Sequence, residues 1–105
     1  MKLSIVAVTL GVMAVGTTFP ASANPDLAKA KNCLMCHKVD AKLMGPGFVD
    51  VAKKYASDKD AEAKIVKQIR QGGGGQWGGI PMPAQPQVTE EEAKQLAQWI
   101  LTLGK

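Results

Sequence analysis

Both cysteines and the single histidine of this 105-residue chain fall within five positions, Cys33-Leu34-Met35-Cys36-His37. On a helix, residues i and i+3 share a face. The spacing therefore brings two sulfurs to one side, with an imidazole directly after them. Two thiols so placed can form thioethers with the two vinyl groups of one haem, and the histidine can reach the iron of that ring. Cys-x-x-Cys-His is the pattern of c-type haem attachment. Two other chemistries use the same residue types. A redox-active dithiol of the thioredoxin kind accompanies a βαβ pattern, and no strand pattern occurs in this sequence. A structural zinc needs four ligands, and this short segment holds the only three Cys and His residues.

A haem iron held by His37 has one further axial position. With no second histidine, bis-histidine ligation is excluded. Beyond the N-terminal leader, the methionines are Met35, Met44 and Met82. Met35 lies inside the attachment motif, on the His37 side of the ring. Met44 follows His37 by a path too short to pass easily around the ring. Met82 lies far along the chain in Ile80-Pro81-Met82-Pro83. Its two prolines fix φ on either side and restrict the segment that would present the thioether. Met82 is thus the expected ligand, and His/Met ligation raises the reduction potential and suits electron transfer.

Four helices are expected to position these groups. The first begins near Asp26, carries Leu27, Lys31 and Leu34 at i, i+4 and i+7, and is expected to run to about Lys38. Gly45-Pro46-Gly47 then forms a turn. The second helix places Phe48, Val51, Ala52 and Tyr55 on one face. The third starts near Asp60, a candidate N-cap, stacks Ile65 on Ile69, and stops at Gly72. The fourth opens on Thr89 with Glu92 three residues later, a capping box. Leu96, Trp99, Ile100 and Leu103 form its apolar face, and Gly104 ends it. The two terminal helices are expected to meet, with Ala28 and Leu34 near Leu96 and Ile100.

Between the third and fourth helices, Gly72–Gln87 holds six glycines and three prolines. A loop of roughly 16 residues without regular structure is uncommon in a small domain and usually functional or disordered. Trp77, Ile80 and Met82 in its middle favour burial over disorder. The glycines would let the backbone lie close to a large flat surface.

The chain opens with Lys2, the apolar run Leu3–Val15 and then Ala21-Ser22-Ala23. This is the pattern of a cleaved secretory signal peptide. The run is too short for the ~20 residues of a membrane span. Residues 24–105 would then form one small domain, of a size where a core alone gives only ~3–5 kcal/mol. It contains four aromatics, Phe48, Tyr55, Trp77 and Trp99, so a cofactor is expected to complete the core. The formal net charge is +4, but no Lys/Arg run reaches the 5–8 residues of a basic patch. Nucleic acid is not an expected partner. Spread lysines solubilise, and they also give a weak field that steers acidic partners.

Taken together, Cys33-Leu34-Met35-Cys36-His37, Gly45-Pro46, Gln76-Trp77-Gly78, Ile80-Pro81-Met82-Pro83 and Ala97-Gln98-Trp99-Ile100-Leu101 resemble the small bacterial class I cytochromes c of the c-551/c-552 type. The landmarks follow the family's order across nearly all of residues 24–105. The resemblance implies an all-α fold of about four helices wrapped around one covalent haem c. It implies Cys33 and Cys36 as attachment points and His37 and Met82 as axial ligands. The Pro46 carbonyl would accept from the His37 ring, and Trp77 would donate to a haem propionate. Arg70 would either approach a propionate or end its helix in solvent. Ala84-Gln85-Pro86-Gln87 departs from the family's usual pattern after Pro83. Whether Gln85 bonds the Met82 sulfur is therefore open. Phe48 stands where the family often has Tyr. The implied protein is a monomeric periplasmic electron carrier, not an enzyme. Its partners would be redox donors and acceptors such as a reductase, an oxidase or a cytochrome complex, without stable membrane insertion. Lys31, Lys38 and Lys42, near the attachment motif, would guide docking.

Overall fold

Thr89 accepts a hydrogen bond from the Glu92 amide at 3.1 Å, and the Glu92 carboxylate accepts from the Thr89 amide at 3.0 Å. This reciprocal capping box starts the longest helix among the described residues. It was established in a computed structural model that describes residues 25–104 together with the isolated positions 7 and 11. The rest of the expected leader, and its expected cleavage site after Ala23, lie outside the described residues.

Among the described residues, four α-helices follow one another: α1 (Pro25–Ala30), α2 (Phe48–Lys54), α3 (Ala61–Gln71) and α4 (Glu90–Thr102). A short 3-10 helix, Cys33–Met35, follows α1. Among the described residues the only β-type pairing is an isolated antiparallel bridge between Gly73 and Met82. The fold is all-α.

α1 has Pro at its first position, where a missing N–H costs nothing, and Asp26 in its first turn. It is shorter than the periodicity predicts. Asn32 adopts φ 64°, a left-handed conformation that an α-helix cannot pass through and that Asn tolerates better than most residues. The chain restarts as the 3-10 helix, so the attachment motif is not a continuation of α1.

α3 begins as expected after Asp60, but the Asp60 side chain does not cap it. Asp58 supplies the carboxylate at this helix start instead. It accepts from the Asp60 amide at 2.8 Å and from Lys64 at 2.5 Å. These two bonds, first the one from Lys64, hold the Asp58 carboxyl below its ordinary value. Gly72 ends α3 with φ 70°.

α4 packs on α3, α2 and α1. The core joins Ala28 of α1, Phe48 of α2, Ile65 and Ile69 of α3, Val88, and Ala93, Leu96, Ala97, Trp99 and Ile100 of α4. Leu96 is 1% exposed. Ala28 thus meets the terminal helix as expected, but Leu34 does not. It is 36% exposed, and Cys33 is the residue of that segment packed against the core. The turn at Asn32 rotates Leu34 off the face that an unbroken helix would give it.

Candidate functional site

The 3-10 segment serves the cysteines better than the expected α-helix, because side chains at i and i+3 eclipse in that geometry. The Cys36 and His37 amides both donate to the Cys33 carbonyl, at 3.2 and 2.9 Å. Cys33, Cys36 and His37 line one cavity of about 1130 Å³. That slightly exceeds the ~300–1,000 Å³ usual for cofactor sites. The sulfurs are not joined in a disulfide. Burial pushes the Cys33 thiol up from its ordinary value, the reverse of what a thiolate nucleophile requires. Among the described residues no group of three or more Cys, His, Asp or Glu is placed to hold a metal ion.

His37 is fixed on three sides. Its Nδ1 lies 2.8 Å from the Pro46 carbonyl oxygen. A carbonyl only accepts, so Nδ1 carries a proton, and in the neutral imidazole Nε2 is the nitrogen left with a lone pair. The imidazole stacks on Phe48, with centroids 5.0 Å apart at 22°, and Phe48 meets Trp99 edge-on at 5.5 Å. Gly45 closes the third side, where a Cβ would stand 2.5 Å from Cε1 of the ring. The backbone supports this arrangement. The first amides of α2, Phe48 and Val49, donate to the carbonyls of Lys38 and Val39 at 3.0 and 2.9 Å. The residues just after His37 thereby satisfy donors that a helix start leaves open.

Ile65, Ile69, Leu96 and Ile100 give the cavity an apolar wall, and the glycine-rich loop and Met82 give it another. Gly73 and Met82 exchange two backbone hydrogen bonds, of 3.0 and 2.8 Å. These pin the base of the loop, so Met82 leaves it at a fixed point next to the end of α3. Met82 is half-buried and packs partly against the core. Of the other methionines, Met35 is 72% exposed and does not line the cavity. Met44 lines it but is 63% exposed. Its sulfur accepts from the Cys36 thiol at 3.8 Å, beside the attachment motif. Gln85 donates to the Pro83 carbonyl at 3.0 Å and accepts from Gln87 at 2.7 Å. Its amide is thus engaged with the backbone after Met82 and with its neighbour.

Trp77 also lines the cavity, 40% exposed, with the Lys54 ammonium 4.5 Å from its ring centre. Arg70 is exposed and borders a separate surface groove with Glu62, Lys67 and Lys94. It does not line the cavity, so of its two expected roles the solvated helix end is the one the geometry favours. Lys31 is occupied by an ion pair with Glu92 at 3.1 Å and a bond to the Gln87 carbonyl at 3.2 Å. Lys38 and Lys42 are exposed.

One cluster is absent from the sequence-based expectations. Tyr55 at the end of α2 donates its hydroxyl to the Gln76 side chain at 2.7 Å, and Lys54 donates to the Gln76 carbonyl at 2.9 Å. Contacts between polar residues so far apart in the chain leave no periodic trace that could have revealed them.

The residues present fit a haem. Two thiols and an imidazole of defined tautomer share a wall, apolar side chains form the rest, and no buried polar side-chain atom among the described residues lacks a partner. No helix of these residues is long and apolar enough to cross a membrane.

Comparison with known proteins agrees. A family model described as "Cytochrome c" matches residues 23–104. The chain is 50% identical to cytochrome c-552 of Hydrogenobacter thermophilus over 98% of its own length and 99% of that protein's. It is 52% identical to cytochrome c-551 of Pseudomonas denitrificans over 78% of its length and 99% of that protein's. The crystal structure of cytochrome c552 from Nitrosomonas europaea, 48% identical, superposes with a TM-score of 0.75 across 76% of this chain and 99% of that one. The agreement runs through the helices as well as the Cys33–His37 motif that fits covalent attachment of one haem c, and on that ground the chain belongs to the cytochrome c family, the small electron carriers.

Proposed function

We propose that this protein is a periplasmic one-electron carrier whose iron is held by His37 and Met82. Residues 1–23 would be removed on export, leaving 24–105 as the working domain. Cys33 and Cys36 hold the haem through thioethers. The haem, when bound, supplies the Fe(III)/Fe(II) couple. The chain's own residues keep that couple in one geometry. Pro46 fixes the tautomer and direction of His37 through a 2.8 Å bond, as outer-shell acceptors do for metal-bound imidazoles. Met82 offers a soft sulfur, which favours the reduced metal more than nitrogen or oxygen would. The apolar wall would exclude water, and Trp77, which lines the cavity, would donate its indole N–H to a propionate. The observation that carries this reading is the convergence of a tautomer-fixed His37 and a backbone-pinned Met82 on one cavity.

Exposed Lys38 and Lys42 beside the attachment motif suit docking to acidic surfaces of redox donors and acceptors, such as a reductase, an oxidase or a cytochrome complex. Lys31 is less available, since Glu92 already neutralises it. The carrier would act as a monomer.

The test is to compare Met82→Ala with Met44→Ala. Met82→Ala keeps the haem attached, abolishes the sulfur-to-iron absorption band of the oxidised protein and lowers the reduction potential. Met44→Ala keeps the band. The reverse pattern would overturn the assignment.

A further inference from the structure

The loop that carries Met82 is costly to keep closed. Gly72, Gly73, Gly75, Gly78 and Gly79 all have positive φ. Glycine loses more conformational freedom on ordering than any other residue, so release of this segment is favoured by a large entropy. Its tip gains little from packing, since a Cβ on Gly75, Gly78 or Gly79 would meet nothing within 4 Å. At its base, the Gly73–Met82 pairing holds the two ends together. Among the described residues, the tip has two hydrogen bonds to the rest of the protein, and both end on Gln76. They are Tyr55 to its side chain and Lys54 to its carbonyl, with the Lys54 ammonium also over Trp77.

We propose that Lys54, Tyr55 and Gln76 form a latch that holds the Met82 loop closed over the cavity, which makes them positioning residues for the axial sulfur. The proposal rests on Met82 being the ligand. Tyr55 is well placed for the task. It caps α2, its amide bonded to the Val51 carbonyl at 3.2 Å, and α2 begins with the Phe48 that stacks on His37. The latch thus ties the sulfur side of the site to the helix that braces the imidazole side. Lys54 and Tyr55 never touch the iron. They set how often the loop opens and exposes the sixth position.

Exogenous imidazole tests this, because it takes the sixth position only when Met82 has left it. One Fe–S bond is exchanged for one Fe–N bond, with no change in oxidation state. The apparent affinity for imidazole is therefore its intrinsic affinity scaled by the open fraction. In the oxidised holoprotein, Tyr55→Phe and Gln76→Ala each remove one hydrogen bond of the latch. Each should raise imidazole affinity about two- to tenfold, read from loss of the sulfur-to-iron band. Gln76→Glu keeps an acceptor for Tyr55 and should hold the affinity at or below the wild-type value. Thr89→Ala weakens the α4 cap without touching the loop and should leave the affinity unchanged. Two results would overturn the latch while leaving Met82 as ligand: equal affinity in wild type and Tyr55→Phe, or an equal rise in Thr89→Ala. A wild type without the band, or one that keeps the band with imidazole bound, would overturn the ligand assignment and the latch with it.

Discussion

A Cβ placed on Gly72 would stand 2.6 Å from the carbonyl oxygen of Met82. The end of α3 and the methionine segment therefore touch backbone to backbone, which only glycine permits at this position. Gly72 also has φ 70° and ψ −173°, a combination essentially confined to glycine. Gly72→Ala should destabilise the protein by at least about 1–3 kcal/mol and weaken the sulfur-to-iron band. Denaturant unfolding followed by haem absorbance measures both. A change below ~0.5 kcal/mol would mean that the segment shifts freely.

The cavity is lined by the core residues Phe48 of α2, Ile65 and Ile69 of α3, and Leu96 and Ile100 of α4. A protein that leaves such a volume unfilled loses the contacts of every residue lining it. The Cys33→Ala, Cys36→Ala double variant, made without covalent haem, should therefore lack cooperative unfolding and most of its helical circular dichroism. A fully helical, cooperative haem-free form would contradict this.

Leu96 is 1% exposed in the core shared by α1, α2, α3 and α4, and it also lines the cavity. Leu96→Ala should cost about 2–5 kcal/mol, measured on the holoprotein by thermal or denaturant unfolding.

The start of α4 offers two separable effects. Thr89→Ala removes a cap worth about 1 kcal/mol. Glu92 contributes through charge as well. Its hydrogen bond from the Thr89 amide and then that from Lys31 hold its carboxyl below the ordinary value of 4.5. A carboxyl depressed on folding adds stability above its unfolded pKa, and loses it as pH falls through the folded one. Wild-type stability should therefore decline below about pH 4.5 more steeply than that of Glu92→Gln, which keeps the box without the charge. Unfolding midpoints between about pH 6 and pH 3 compare the two slopes.

The features of this structure legible in the sequence are those specified locally. The Cys33–His37 motif, the Thr89–Glu92 box, the Gly72 stop and the apolar faces of α3 and α4 each depend on residues within a turn or two of one another. The departures have non-local or conformational causes. Asn32 takes a left-handed conformation that its residue type allows without announcing, so α1 stops short and Leu34 turns outward. Asp60 occupies the expected cap position, but Asp58 receives the hydrogen bonds. The pairing of Gly73 with Met82 and the contact of Tyr55 with Gln76 join residues far apart in the chain. No spacing rule reaches that distance.

The position of α2 has a consequence for how the protein comes apart. Seven residues long, this helix bears the ring against His37 at one end and the hydroxyl that meets the loop at the other. Exposed glycine-rich loops ordinarily fray independently, at a small fraction of the global unfolding free energy. Here the loop and the histidine side lean on the same short element, so loss of α2 releases both, although the loop can also open alone. The Gly73 and Met82 amides, each bonded across the base of the loop, should then exchange with solvent deuterium no more slowly than the α2 amides, since the event that unfolds α2 frees the loop as well.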